Sequence, residues 1–327
     1  MQFKIYKLHF TTPLHLGDVR DDYSVSLKTV ASDTMYAALI STLAKMGESI
    51  PDKGVLKCTI SSLFPFYQKE KGDQNVVLFL PKPMKQQLPT TQKAFDARKK
   101  IKKVTWFDSD YFSMAINGKT LFNDDSAIND IKGDFLSSKT IDKDFVSSQI
   151  SQRVSVSRNS SEDAKPFFMD RIVFRDYSGL YFIADGDTSS LEKALNLLQH
   201  EGIGTDRNVG NGYFEYDLGT LTIDMPDNAD YEMSLSSFIP ESKEQLSTMI
   251  DGQNVAYDFQ RRGGWITTPP HNTYRKNVIH AFTAGSVFKS CNNGITIKGK
   301  TVDLKPQIID HPVWRCGRAL FLPIKLS

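Results

Sequence analysis

Hydrophobic positions along this chain switch several times between the alternation of a strand and the three-and-four spacing of a helix. Residues 3–10 alternate roughly, with Lys4 and Lys7 interrupting, and predict a first strand. Thr11-Thr12-Pro13-Leu14-His15-Leu16-Gly17 ends it in a turn. A polar segment over 18–28 carries Arg20 and Lys28. Ser32 or Asp33 then caps a helix with Met35, Leu39, Leu43 and Met46 on one face, closed by Gly47. Residues 76–80 predict a strand stopped by Pro81. Over 152–158 (Gln-Arg-Val-Ser-Val-Ser-Arg) a strand places Arg153, Ser155 and Ser157 on one face, with Arg158 at its end. Residues 171–175 and 180–184 predict a hairpin around Asp176-Tyr177-Ser178-Gly179. Ser189 and Glu192 have capping-box spacing, and Leu191, Ala194, Leu195 and Leu198 supply a helix face. Phe214, Tyr216 and Leu218 then alternate as a strand.

These elements give strand, helix, strands, helix, strand, the βαββαβ plan of a ferredoxin-like unit, within an α+β fold class. From 82 to 165 the pattern dissolves into polar sequence broken by short strand-like runs such as 111–116. A compact domain rarely needs so long an irregular connection, so this stretch is expected to be a functional insertion. After Met225-Pro226-Asp227-Asn228 the pattern restarts, with a strand over 231–238, a short helix over 241–250 and several further strands. The expected division is a first domain over 1–218, containing the insertion, and a second, smaller one over 219–327.

Composition narrows the class. Of 327 residues 40% are hydrophobic and 24% charged, which suits a soluble globular protein of two domains or one with large insertions. The net charge of +2 says less than its distribution: between Lys82 and Lys103 stand seven Lys and one Arg against the single acid Asp96. That segment fits a polyanion groove or an ordinary solvated loop. Cys58, Cys291 and Cys316 are odd in number and widely spaced, pointing to a reducing compartment and to neither a disulfide framework nor a zinc site. The N-terminal residues form no signal peptide, and no apolar run reaches the roughly 18 residues of a membrane span, so a cytoplasmic protein is expected. No metal or cofactor is expected.

The densest candidate chemistry lies at Gly202-Ile203-Gly204-Thr205-Asp206-Arg207-Asn208-Val209-Gly210-Asn211-Gly212, between the second helix and the strand after it. A dinucleotide fingerprint needs a strand before its glycines and a helix after them, and here the order is reversed. A Walker loop needs Gly-Lys-Ser/Thr, which is absent. Two readings remain: an anion-binding concavity of exposed amides with Arg207 as bidentate donor, or a helix C-cap at Gly202 with a flexible connection.

Residues 13–17 after a first strand, Ser32-Asp33-Thr34-Met35-Tyr36-Ala37-Ala38-Leu39 opening a helix, and the late glycine loop together resemble the RAMP superfamily of CRISPR proteins. Arg261-Arg262-Gly263-Gly264-Trp265, Gly285-Ser286-Val287-Phe288, His311-Pro312-Val313 and Arg315-Cys316-Gly317-Arg318 narrow the resemblance to the Csm subunit-four family of type III-A effector complexes. The resemblance implies two ferredoxin-like domains that hold the 5′ tag of the guide RNA (crRNA), with no catalytic role. It implies as partners the large polymerase-like and HD nuclease subunit, a backbone RAMP subunit and, through the complex, target RNA in antiviral defence. It also implies a β-hairpin thumb, expected at residues 82–119. Carried over by position, Gly202, Gly204, Arg207, Asn208, Gly210 and Gly212 face the tag. His15, Gly17, Arg20, Lys28, Ser32 and Thr34 line the same groove, and a helix N-terminus suits phosphate. Arg153, Arg158 and Lys165 are expected at the RNA surface. Asp33 repels phosphate and is expected as a helix cap or an arginine's partner.

Three rivals compete. A metal-free RAMP endoribonuclease would need His9 or His15 as general base with Lys28 or Arg207 against the phosphorane. A target-cutting subunit would need a loop acid such as Asp21-Asp22 or Asp124-Asp125 with a divalent metal. A protein-only scaffold would leave the glycine loop and the basic segment unexplained.

Overall fold

The computed structural model describes residues 1–17, 23–86, 89–123, 125–157, 163–266, 268, 270–290 and 294–326. Strand β1 (Gln2–Phe10) is followed by α1 (Ser32–Lys45), β2 (Cys58–Ile60), β3 (Phe64–Tyr67) and β4 (Val77–Pro81). The chain continues through α2 (Gln92–Asp96), α3 (Arg98–Lys103), β5 (Trp106–Asp108), α4 (Ser109–Ile116), α5 (Asp125–Asn129), β6 (Ile131–Lys132) and β7 (Phe135–Leu136). A long ribbon of β8 (Val146–Ser155) and β9 (Lys165–Phe174) precedes β10 (Gly179–Gly186), α6 (Ser189–Glu201) and β11 (Phe214–Thr222). These elements supply a nine-stranded sheet in the order β11-β1-β10-β3-β4-β5-β7-β6, with β2 also on β10.

Strand β1 is buried on both faces, which is why its alternation is blurred in the sequence. Tyr6 and Leu8 enter a core with α1 and α6, while Phe3 and Ile5 enter a second core on the opposite face. The two lysines on this strand are tied down. Lys4 Nζ donates to Glu192 of α6 at 2.7 Å, and Lys7 pairs with Asp217 of β11 at 3.1 Å. Leu191, Ala194, Leu195 and Leu198 of α6 are all buried, as their spacing predicts.

The last third adds β12 (Tyr231–Ser234), α7 (Lys243–Ile250), β13 (Phe259–Arg262), β14 (Ile279–Phe282), β15 (Val287–Lys289), β16 (Thr296–Lys298), β17 (Thr301–Asp303), β18 (Trp314–Cys316) and β19 (Ala319–Ile324). A four-stranded sheet runs β15-β12-β19-β16, and β13–β14 and β17–β18 form two-stranded ribbons. Met233, Leu235, Val287, Leu320, Leu322 and Ile324 pack into the same second core as Phe3 and Ile5. The two large sheets therefore share one apolar layer.

Several expectations are corrected. Residues 82–119 are no projecting thumb: Ala94, Val104, Phe107, Phe112, Ala115 and Ile116 all sit in the second core. Residues 111–116 are helical, because Asp108 accepts a cap hydrogen bond from Tyr111 N at 2.9 Å and Tyr111, Phe112, Ala115 and Ile116 make one buried face. β9 does not form a hairpin with β10. It pairs over its whole length with β8, while β10 pairs with β1, β2 and β3. The cap of α1 is Ala31, without a side-chain bond, and Met46 is exposed rather than on the buried face. The Ser189–Glu192 capping box does not form, since Glu192 turns to Lys4, Tyr6 and Thr188.

Candidate functional site

The N-terminus of α1 opens beside β13, β18 and the turn after residue 264, and a cleft of about 430 Å³ lies there, lined by α1, β3, β4, β5, the glycine loop, β13 and β18. Its floor is apolar, with Leu27, Leu63, Pro81 and Trp106. Its polar wall holds Gly17, Thr34, Gly204, Arg207, Arg262, Lys276 and Arg315. Beneath that wall Asp33 is fully buried. Arg262 grips it with a fork, Nε to Oδ2 at 2.7 Å and Nη2 to Oδ1 at 2.6 Å, and Nη2 also donates to Thr34 Oγ1 at 2.7 Å. Arg315 Nη1 adds a bond to Asp33 Oδ2 at 3.1 Å, and Ser237 Oγ donates to Oδ1 at 3.1 Å.

Burial alone would push the Asp33 carboxyl up, but the adjacent Arg262 and Arg315 outweigh it and hold the group below the usual carboxylate range. The same crowding acts in reverse on Lys276. Burial, with Arg315 and Arg262 adding and Asp33 opposing, pushes its ammonium down to about 8. Three cations thus stand around one carboxylate. The other acid on the cleft, Glu201, is bound to Lys45 at 2.8 Å.

The glycine loop forms the adjoining wall, but as a folded unit rather than an open cradle. The amides of Gly202, Ile203, Thr205, Val209, Gly210, Asn211 and Gly212 all donate to backbone carbonyls, Thr205 N to His15 O at 3.0 Å and Gly212 N to Pro13 O at 2.9 Å among them. Gly202, Gly204, Gly210 and Gly212 have φ of 76°, 93°, 88° and 77°. At 202, 204 and 212 a Cβ would collide with neighbouring backbone, so these glycines serve close chain approach; at 210 it would meet open space. Arg207 Nη1 reaches Gly202 O at 3.5 Å, and its side chain lines the cleft.

The cleft gathers Gly17, Thr34, Gly204 and Arg207 of the residues expected from sequence. Others stand elsewhere. His15 is buried, its Nδ1 2.6 Å from Asp170 O, so it supports the loop instead of lining a groove. Ser32 is buried too, accepting from Ser237 N at 2.8 Å. Gly202 and Gly212 are buried. Asn208 is exposed beside Gly210. Lys28 is exposed and paired with Asp134 at 3.0 Å. Arg153 pairs with Asp206 at 3.4 Å, joining the β8–β9 ribbon to the glycine loop, and Lys165 is exposed at the far end of that ribbon. Arg20 and Arg158 lie outside the described residues, as do Asp21, Asp22, Asp124 and Cys291.

Sequence reasoning assigned no role to Arg262, Lys276 or Arg315. Two of these stand in the glycine-bearing motifs that carried the family resemblance, which was the available signal; Lys276 had none. His9 is buried between Tyr177 O at 2.9 Å and Asp217 Oδ2 at 3.4 Å, a packed strand residue. Among the described residues no group of three His, Cys, Asp or Glu is placed to hold a metal, and no helix is long and apolar enough to cross a membrane.

The arrangement is shared with known proteins. Over 99% of this chain and 100% of the other, the fold matches a chain in the crystal structure of a Csm3–Csm4 subcomplex of the type III-A CRISPR-Cas interference complex, with a TM-score of 0.61 and 19% identity. It matches a chain of a Csm1–Csm4 cassette in complex with pppApA at a TM-score of 0.58 and 17% identity, covering 100% and 99% of the two chains. The fold is thus shared with chains of those two solved assemblies. Residues 227–324 match the family model of the CRISPR Csm4 C-terminal domain. The chain is also 24% identical, over 343 aligned positions and 100% of both sequences, to the CRISPR system Cms protein Csm4 of Streptococcus thermophilus. The chain is thus similar over its whole length to a Csm4 protein and over its last third to the Csm4 C-terminal family model, and its fold is mixed α/β.

Proposed function

We propose that this chain is a non-catalytic subunit of a type III-A effector complex that holds the repeat-derived 5′ tag of the guide RNA in the cleft at the N-terminus of α1. The observation that carries this reading is the charge balance of the cleft. Arg207, Arg262, Lys276 and Arg315 line it, while Asp33 and Glu201 are each engaged by partners of their own. A concave, cationic surface with an apolar floor suits a single strand, whose phosphates meet the cations and whose bases meet Trp106 and its neighbours.

The solved structures that share the fold are a Csm1–Csm4 cassette and a Csm3–Csm4 subcomplex. By that likeness the chain docks a large signalling subunit and a backbone RAMP subunit. The sheet order β11-β1-β10-β3, backed by α1 and α6, supports a ferredoxin-like first domain, with the second sheet as a smaller domain after it. The β8–β9 ribbon is the element suited to meeting the guide–target duplex, since Ile150, Val154 and Phe168 stand bare on it at 64%, 54% and 59% exposure. The endoribonuclease reading loses support because the His9 and His15 imidazoles are buried and engaged with backbone carbonyls.

The test is to incubate purified protein with end-labelled guide RNA carrying its tag, and separately with unprocessed repeat RNA, with and without divalent metal. Tag-dependent binding without cleavage is expected. Arg207→Ala is expected to flatten the log–log salt dependence by about 0.7, one single-strand phosphate. An unchanged slope would move Arg207 to a structural role, and metal-free cutting at one repeat position would overturn the non-catalytic reading.

A further inference from the structure

Asp33 with its two arginines is, at first sight, a clamp between α1 and the last third of the chain. A clamp needs no third cation, and one carboxylate cannot neutralise the set. Lys276 nevertheless stands against the same pair, with its backbone amide fixed to Gly264 O at 2.9 Å. Its ammonium lies in the field of Asp33 but takes no part in the hydrogen bonds of the clamp. Arg315 is more than nine-tenths buried, and its Nε has no hydrogen-bond partner there. A buried donor left without a partner, as Arg315 Nε is, is costly unless an anion completes it, and the half-buried Lys276 lines the same cleft. Both side chains line the cleft, together with the Thr34 hydroxyl and the first turn of a fourteen-residue helix whose dipole favours negative charge.

We infer that Lys276 and Arg315, on the platform that Arg262 and Asp33 hold rigid, form a subsite for a single phosphate group at the N-terminus of α1. The inference rests on the RNA-holding reading and adds to it. Among the phosphates of the bound strand, one is seated here, while Arg207 serves its neighbours on the other wall. Asp33 is the reason the subsite is specific. It occupies the Nε–Nη2 edge of Arg262 and one nitrogen of Arg315, leaving Lys276 and the other donors of Arg315 on the cleft rather than a diffuse basic surface. Arg262 is accordingly a positioning residue. Lys276 and Arg315 are the contacts.

The experiment uses the full chain and short single-stranded tag RNAs in which each phosphate in turn is replaced by an uncharged methylphosphonate. Lys276→Gln is the principal variant, because Lys276 makes no bond in the clamp. Arg315→Lys, which keeps a cation for Asp33, is the second variant should the first fold poorly. One position should lose about 10- to 100-fold in affinity on neutralisation in the native protein, the range of a charge-assisted hydrogen bond. That position should be insensitive in Lys276→Gln. A parallel arm measures Tm against inorganic phosphate, which should stabilise the native protein but not the variant.

If RNA binds and every phosphate counts equally in both proteins, the subsite falls and the RNA reading stands. If RNA fails to bind while inorganic phosphate stabilises only the native protein, the subsite stands and its occupant is not this RNA. If neither ligand acts, both fall and the three cations are a clamp alone.

Discussion

Gly204 and Gly210 both sit at positive φ, 93° and 88°, yet a side chain would meet different things at the two positions. A Cβ on residue 204 collides with the His15 carbonyl, the acceptor that fixes the loop to the end of β1, whereas on residue 210 it enters open space. Gly210→Ala should therefore cost only the left-handed backbone penalty, about 1–2 kcal/mol. Gly204→Ala should cost clearly more and detach the loop from residues 13–17. Urea unfolding of both variants checks this, and equal midpoints would show that the His15 contact holds nothing. Both glycines are visible in the sequence, and so is the helix-loop-strand order around them. What the sequence does not display is which glycine faces backbone and which faces solvent. The same limit hid the cleft's cations. Asp33 reads correctly as an arginine's partner, but Arg262 and Arg315 lie 229 and 282 residues away, beyond the reach of any local pattern.

At the level of elements, the described part of 89–136 packs into the core rather than projecting, unlike the ribbon that follows it. Its pieces are short, α2 and α5 five residues each and α3 six, so no helical face repeats often enough to show as periodicity. Long elements with one or two buried faces, such as β1, α1 and α6, were legible for the opposite reason. Deleting 89–119 removes Phe107, Phe112 and Ile116, all fully buried, along with their neighbours. At about 2–5 kcal/mol for each such side chain, the loss exceeds the usual 5–15 kcal/mol of net stability, and the product should not fold. Replacing 152–168 by a short glycine linker should do little by comparison, because most of that ribbon pairs only with itself and spares the buried Met169 and Asp170. A Tm within roughly 2–4 °C of the parent is expected. Unfolding of the ribbon deletion, or a folded product from the 89–119 deletion, would reverse the assignment of which part projects and which part packs.

For the molecule as a whole, Lys276 couples charge in the cleft to pH. Its folded ammonium titrates at about 8, below its usual range, because burial, Arg315 and Arg262 outweigh Asp33. In the free protein the unfolded chain binds this proton more tightly, so stability should rise as pH climbs from about 8 towards 10. Binding an anion reverses the preference. RNA affinity should fall as pH rises above about 8, and complex formation there should take up a proton. Calorimetry in two buffers of different ionisation enthalpy at about pH 8.5 measures that uptake, and Lys276→Gln should abolish it. No uptake in the native protein would mean that the lysine does not face the ligand. The Asp33 junction also bears on how the protein is made. While the ribosome is still producing the middle of the chain, α1 can already cover its sheet, but the carboxylate at its foot has neither arginine. The first turn of α1 and the wall of the cleft must then stay open to water until residue 262, and finally residue 315, has left the exit tunnel. The cleft proposed for RNA would be assembled only once the chain is finished.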